Sequence, residues 1–309
     1  MLRSRLVSQR KPTILFPCDP LNPRQVEPDF EAERDAAKAA GLGTALVDHS
    51  RMLAGEAAAG VARVPEGAGA AIYRGWMLRP NQYEAMHAAL VARGCALVNT
   101  VQQYRACHYL PEGYAWIEGR TPRSVWFPVD GVLRLEQLRD AVVPFGDSAL
   151  IVKDYVKSQK HYWKEACFIP SASDLPAVER VVRRFLELQG DDLNEGLVIR
   201  EYLPLKVVGI HPKSGMPLAA EFRIFWLDGE PVLSHRYWGD LTMFDVPLPW
   251  AELTPIAADI QSRFFTMDVA FLADSGWTIV ELGDGQVAGL PATDLASEFY
   301  QRLSLAPGW

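Results

Sequence analysis

The chain runs to 309 residues with 49% hydrophobic and 22% charged side chains, ordinary for a globular enzyme and long enough for one large core or two to three smaller ones. Thirty-one Lys and Arg against 38 Asp and Glu leave a net charge of −7, which argues against a general nucleic-acid-binding surface while leaving local basic patches open. No apolar run reaches membrane-spanning length, and the scattered Cys18, Cys95, Cys107 and Cys167 fit reduced thiols in a cytoplasmic protein better than a disulfide framework or a zinc site.

The basic opening MLRSRLVSQRK reads as an organellar transit segment or as a solvated terminus, and strand-like TILF directly after it favours the terminus. DFEAERDAAKAAG (29–41) predicts a helix ended by glycine, and TALVDHS and AAIYRG (70–75) predict strands. PNQYEAMHAALVARG (80–94) sets Tyr83, Met86, Leu90 and Val91 at helical spacing, with CALVN as the next strand. This alternation predicts a small parallel α/β unit. FPCDPLNP stands after the first strand where a dinucleotide site needs Gly-x-Gly-x-x-Gly, so dinucleotide binding is disfavoured.

TVQQYRACHYL reads as a helix and PEGYAWIEGRTPRS as a turn-rich link. SVWFPV and SALIVKDYV are strand-like, and SDLPAVERVVRRFLELQG places Val178, Val181, Val182, Phe185 and Leu186 on one helical face. The apolar strand GLVIREYL follows. Two hairpins, AEFRIFWLDGEPVLSHRYW and FFTMDVAFLADSGWTIVEL, precede a last helix beginning near Thr293 or Asp294.

In the second hairpin, a turn at 273–276 pairs Leu272 with Trp277, Ala270 with Ile279, and Asp268 with Glu281. Met267, Val269 and Phe271 then share the core face with Val280 and Leu282. Opposed Cβ atoms lie roughly 4.5–5.5 Å apart, where like charges destabilise the pair. A hard divalent cation converts that repulsion into ligation, with Asp284 as a third oxygen. Solvated acids on an exposed edge satisfy the same pattern. In the first hairpin, a two-residue Asp228-Gly229 turn sets Glu221 opposite Arg236 and Arg223 opposite Ser234. The arginines form either a surface ion pair with Glu221 or a clamp for phosphate.

Lys153 is the one cation of an apolar strand and calls for an anionic partner, phosphate among the candidates; a strand-edge lysine is the alternative. Lys157, Lys160, His161 and Lys164 crowd the polar loop after it, a solvated surface loop or a lid over polyphosphate. Arg200 and Glu201 end the GLVIREYL strand, at a place suited to a hinge where a nucleotide base meets the backbone of Glu201, Tyr202 and Leu203.

Taken in order, IVKDYVKS, REYLPL, the Glu-x-Arg strand and VELGDGQ resemble the ATP-grasp superfamily, most closely its clade named for two arginines and one lysine, over roughly residues 149–291. The resemblance implies an ATP-grasp fold with two α+β lobes (116–203 and 204–309) behind a small Rossmann-like α/β domain (1–115). It implies that Lys153 and Lys157 meet ATP phosphates and that Glu201, Tyr202 and Leu203 hold the nucleoside. It further implies Mg²⁺ on Asp268 and Glu281, with Arg223 on the phosphates or acyl phosphate and Arg200 and Arg236 as further cations. Many superfamily members end the metal strand in Glu-x-Asn, whereas here Leu-Gly-Asp follows Glu281. Either Asp284 takes the asparagine's role or a second metal is held differently.

The activity so implied is an ATP- and Mg²⁺-dependent ligase joining a small-molecule or peptide carboxylate to an amine through an acyl phosphate. A small-molecule kinase, a ligase acting on an RNA or peptide terminus, and a nucleotide-binding regulator without turnover stand as alternatives. Nothing in the pattern sets an oligomeric state.

Overall fold

Strand–helix alternation in the first hundred residues produces an all-parallel sheet, and the hairpin signals after it produce antiparallel ones. The computed structural model describes residues 11–238, 246–274 and 276–307. The MLRSRLVSQR opening lies outside them.

The N-terminal unit comprises β1 (Thr13–Pro17), α1 (Glu31–Ala39), β2 (Gly43–Val47), the short α2 (His49–Leu53) and α3 (Ala57–Gly60), β3 (Gly69–Tyr73), α4 (Pro80–Ala92) and β4 (Cys95–Leu97). Its strands pair in parallel in the order β2-β1-β3-β4. Ile14 and Phe16 point into one cluster with Ala37 of α1, while Leu15 points to the other with Tyr83, Met86 and Leu90 of α4. Period-two alternation along β1 thus supplies both faces. Val91, counted on the buried stripe by spacing, is instead 53% exposed. Gly41, read as a helix terminator, has φ of 73°, and Gly94, just past α4, has φ of 69°, a region where a Cβ is strained.

The linker holds two helices, α5 (Val101–His108) and α6 (Leu110–Ile117). The expected turn-rich link is helical through Ile117, because Pro111 falls in the first turn, where its missing N–H costs nothing. Gly113 suits the close approach of the two helices, since a Cβ there would stand 2.5 Å from the Ala106 carbonyl.

The middle unit comprises β5 (Ser124–Pro128), α7 (Leu135–Val142), β6 (Leu150–Asp154), α8 (Trp163–Ala166), β7 (Phe168–Ile169), α9 (Leu175–Gln189) and β8 (Gly196–Glu201). Its sheet is antiparallel in the order β5-β8-β6-β7. Val178, Val181, Val182 and Phe185 of α9 and Leu138 of α7 cover one face, packed on Leu150, Val152, Leu197 and Ile199. The intervening residues Lys153 and Arg200 therefore face the other way, into a cleft.

The C-terminal unit opens with the β9 (Val207–Ile210) and β10 (Pro217–Ala219) hairpin. Then come β11 (Glu221–Leu227), β12 (Glu230–Arg236), α10 (Trp250–Asp259), β13 (Phe264–Phe271), β14 (Trp277–Asp284) and α11 (Ala296–Leu305). The sheet order is β12-β11-β13-β14, all antiparallel. Ile224, Trp226, Phe265, Met267, Val269 and Ile279 pack against α6 and α10, leaving Arg223, Asp268 and Glu281 on the cleft face. Phe299, Tyr300 and Leu303 of α11 enter the same cluster as Ile14 and Phe16, so the end of the chain packs on its beginning.

Two β-bulges correct the expected registers. The Asp228-Gly229 turn forms with φ of 51° and 82° and pairs Leu227 with Glu230, as read from sequence. The ladder then slips between Trp226 and Phe225, so Arg223 faces His235 and Phe222 faces Arg236, in place of the Arg223–Ser234 and Glu221–Arg236 pairs. Pro231 has no N–H to give the ladder, which favours a bulge there. In the second hairpin Phe271, not Leu272, pairs with Trp277, and Ala270 faces Thr278. The extra residue Val280 bulges out and restores Asp268 opposite Glu281. Ile279 consequently joins the core and Val280 lines the cleft, the reverse of the simple alternation.

Candidate functional site

Two cavities open from the cleft between the middle and C-terminal sheets, and they share Ser158, Lys160, Tyr237 and Glu281. The first opens between residues 200–203 and the β9–β10 hairpin. Its walls include Ile151, Lys153, Arg200 and Val280, with Val207, Met216 and Ala219 of the β9–β10 hairpin as a roof. The second reaches toward the N-terminal unit and is bounded by Met77, His108, Lys157, Arg223, Thr266 and Asp268.

Charges meet where the cavities join. Lys153, 7% exposed, reaches across from β6 to Glu281 Oε2 at 3.2 Å, so its anionic partner is a carboxylate of the C-terminal sheet. Burial pushes the Glu281 carboxyl up, but Lys153, Lys160 and Arg223 outweigh it and hold the group down at about 2. Asp268, 1% exposed, accepts a forked pair from Arg223, Nε to Oδ1 at 2.8 Å and Nη2 to Oδ2 at 2.6 Å. The third guanidinium nitrogen, Nη1, donates to the Gly289 carbonyl, and the guanidinium lies 4.7 Å from the Tyr237 ring centroid. Lys160 Nζ sits over the rings of Tyr237 and Trp238 at 5.2 and 5.3 Å. Glu221 lies on the same face and accepts from the Trp238 indole at 3.1 Å; burial and the charge of Asp268 raise its carboxyl to about 8.

Arg200 is placed differently from the other cations. Its Nη2 donates to Thr121 Oγ1 at 2.8 Å and to the Val280 carbonyl, the bulged residue of β14. Burial lowers its pKa to about 10, which leaves it charged at neutral pH. It thus pins the bulge that aims Glu281. Arg236, across from Phe222, is on the opposite face from Arg223 and lines neither cavity.

Glu201, Tyr202 and Leu203, expected from sequence at a hinge, border the first cavity. Glu201 Oε1 accepts from Ser148 Oγ at 3.2 Å and lies 3.6 Å from Arg123. The Tyr202 N–H is spent on the Ala149 carbonyl, and its ring packs edge-on against Trp163 and Phe168. Leu203 lines the cavity beside them. Lys157 borders the second cavity only. Its loop is folded by buried Asp154, whose carboxylate accepts from the N–H groups of Val156 and Lys157 and from the side chains of Gln189 and Asn194.

Asp284 does not turn toward Asp268 and Glu281. Oδ2 accepts from Asn99 Nδ2 at 2.6 Å and Oδ1 from the Gln286 N–H at 2.9 Å, while Gln286 Nε2 bonds Tyr83. Burial raises its carboxyl to about 7. Among the described residues no group of three or more His, Cys, Asp or Glu side chains is arranged to hold a metal ion. Two opposed carboxylates remain, which suits Mg²⁺: it keeps waters and takes one or two carboxylates plus phosphate oxygens.

Sequence reasoning left several site residues unassigned: Trp163, Tyr237, Trp238, Thr266 and His108. The available signal was aromatic: Tyr162-Trp163 and Tyr237-Trp238 interrupt otherwise polar segments. His108 is held neutral at about 3 by burial, with Lys157 and Lys153 adding to the shift.

The cysteines are all buried and free. Among the described residues no helix is long and apolar enough to cross a membrane.

Comparison with solved structures returns the same architecture. A RimK-domain ATP-grasp protein from Sphaerobacter thermophilus aligns at a TM-score of 0.59 and 13% identity, covering 95% of this chain and 98% of that one. The D-cycloserine synthetase DcsG aligns at 0.57 and 14%, covering 94% and 98%. The ATP-grasp ligase PsnB, complexed with a phosphomimetic variant of its minimal precursor, Mg and ADP, aligns at 0.53 and 15%, covering 94% and 96%. These likenesses show the ATP-grasp fold. No curated protein sequence matches. The model of an ATP-grasp domain family, the third of the clade named for two arginines and one lysine, matches residues 144–303, a span that holds the Lys153 strand, residues 200–203 and both charged hairpins, and the chain belongs to that family.

Proposed function

We propose that the protein is an ATP- and Mg²⁺-dependent ligase that joins a carboxylate to an amine through an acyl phosphate, with residues 116–203 and 204–309 as the two lobes of the grasp and 1–115 as the preceding domain. The observation that carries this reading is the junction of the two cavities: one along residues 200–203 and the β9–β10 hairpin and a second one meet at Glu281, flanked by Lys153, Lys160 and Arg223.

In this reading the base and ribose lie in the first cavity between Tyr202, Leu203 and the β9–β10 roof, with Glu201 as the acceptor for ribose or base donors. Asp268 and Glu281 would hold Mg²⁺, which when bound neutralises charge on the phosphates. Lys153, Lys157 and Lys160 hold phosphate oxygens. The acceptor carboxylate enters from the second cavity and is drawn by Arg223. One carboxylate oxygen attacks the γ-phosphorus, the bond from that phosphorus to the β–γ bridging oxygen breaks, and ADP leaves. An amine then attacks the acyl carbon, the bond to phosphate breaks, and the amine's proton passes to solvent or phosphate. Catalysis is positioning plus charge neutralisation, so no nucleophilic side chain is needed.

The structural relatives support two acceptor classes: one is named as a D-cycloserine synthetase, and another is solved with a precursor peptide. A screen of ADP release across carboxylate and amine pairs, read with product mass spectrometry, tests the proposal. The expected result is ADP and an amide in equal amount, lost in Glu281→Gln. A stable phosphorylated product with no amide would replace the ligase by a kinase. No nucleotide binding at millimolar MgATP would remove both.

A further inference from the structure

Gly283 lies where a Glu-x-Asn metal strand would carry its asparagine, and the space beside it is taken. A Cβ built on Gly283 would stand 2.6 Å from Thr266 Oγ1. Thr266 is the residue paired with Gly283 across the β13–β14 ladder, and it precedes Asp268 by two positions on the same sheet face. Its side chain borders the second cavity together with Asp268, Glu281 and Gly283.

Thr266 is 1% exposed and lines that cavity, and its Oγ1 crowds the Gly283 backbone across the ladder. Its ladder partner is a glycine, which has no side chain to bond the hydroxyl or to fill the space beside it. A neutral hydroxyl oxygen is a hard donor, as is an asparagine carbonyl. Asp284, the other available oxygen source, is consumed by Asn99 and Gln286.

Resting on the Mg²⁺ site read above, we propose that Thr266 Oγ1 is the third protein oxygen of that site, delivered from β13 in place of the asparagine that Gly283 cannot provide on β14. The exchange is one of strands: the glycine makes room, and the threonine opposite fills it.

The test uses Mn²⁺ with ADP as the probe, binding being read from the electron paramagnetic resonance signal of free Mn²⁺ on the full chain. Thr266→Val keeps the shape and deletes the oxygen, and it is expected to weaken Mn²⁺ binding in the presence of ADP by about tenfold or more. Thr266→Ser keeps the oxygen and is expected to bind within about twofold of wild type, since the same donor remains. Metal-free ADP binding, read by calorimetry, is expected to be equal in all three, which separates a lost ligand from a damaged fold. Thr266→Ala combined with Gly283→Asn returns an oxygen from the other strand and is expected to recover binding that Thr266→Ala alone loses. Wild-type affinity in Thr266→Val, or equal losses in the valine and serine variants, overturns the assignment while leaving the ligase reading in place. A wild-type protein that takes up no Mn²⁺ with ADP present overturns both.

Discussion

Glu281 and Asp284 stand three residues apart on one strand, and their surroundings push their carboxyls in opposite directions. Glu281 is drawn down to about 2 because three cations converge on it against the effect of burial. Asp284 is driven up to about 7 because burial outweighs its hydrogen bonds from Asn99 and Gln286. The consequences for stability carry opposite signs. A depressed carboxyl contributes stability that is present above its ordinary value of 4.5 and is lost as pH falls toward 2. A raised carboxyl binds more protons folded than unfolded between 3.8 and about 7, so its contribution weakens as pH rises through that window. Between roughly pH 4 and 7, Asp284→Asn is therefore expected to flatten the fall of unfolding free energy with pH, as measured by urea denaturation at several pH values. The slope is the readout, because an amide cannot accept from every donor that surrounds Asp284 and absolute stability will drop for that separate reason. Parallel curves for variant and wild type would contradict the raised carboxyl. Much at this scale was legible. The lone lysine in an apolar strand is buried and paired, and the opposed Asp268 and Glu281 are opposed. Asp284 was legible as an acid near the site and not as a bolt to Asn99, because Asn99 is 185 positions away.

At the scale of elements, what governs the site is the pair of bulges. Sequence shows alternation and turn residues, and counting outward from a turn gives the right face only while the ladder is regular. In β12 the slip after Trp226 shifted every later pairing, which is why Arg236 departs from Arg223; Asp268, paired with Arg223 on the other neighbouring strand, takes the forked bond. In β13–β14 the expected loop was one residue too short, and bulged Val280 adds the missing step, so two departures cancel at Asp268 and Glu281. A bulge has no fixed sequence sign, since it is held by partners elsewhere in the fold. Here one such partner is visible: Arg200 on β8 donates to the Val280 carbonyl and to Thr121. Arg200 is thus expected to act through the position of Glu281. Arg200→Leu should reduce ADP release by about 10²-fold, the scale of a roughly 1 Å misplacement of a reacting group. Arg200→Lys, which keeps charge but reaches one acceptor at a time, should fall between wild type and the leucine variant. Steady-state kinetics with ATP varied reads the effect. Unchanged turnover in the leucine variant would show that the bulge holds without it.

Across the whole molecule, the N-terminal unit is locked onto the C-terminal sheet through buried polar contacts that span most of the chain. Arg74, at the end of β3, is 1% exposed and pairs with Glu33 of α1 at 3.0 Å. Its Nη1 also donates to the carbonyls of Gly285 and Ala288, in the segment leading to Gly289, where Arg223 is anchored. Tyr300 of α11 donates to the same Glu33 carboxylate at 2.6 Å, so the last helix closes the network. None of this was legible in sequence, where Arg74 reads only as the polar end of AAIYRG and its partners lie 41, 211 and 214 positions away. Composition marks which residues become a core, while the choice between two cores or one shared core rests on such distant pairs. Removing one partner of a buried ion pair leaves the other charge uncompensated, at a cost of about 3–5 kcal/mol. Arg74→Met is expected to lose stability on that scale, since methionine fills the apolar volume beside Phe225 and Phe299 but leaves Glu33 and two carbonyls unpaired. Arg74→Met with Glu33→Gln removes the stranded charge and should recover part of the loss, the difference being read by a double-mutant cycle in urea. Because the same arginine holds the segment behind Arg223, ADP release should also fall in the single variant under conditions where it remains folded. A variant that loses stability and keeps full turnover would confine Arg74 to joining the two units, with no bearing on the chemistry across the cleft.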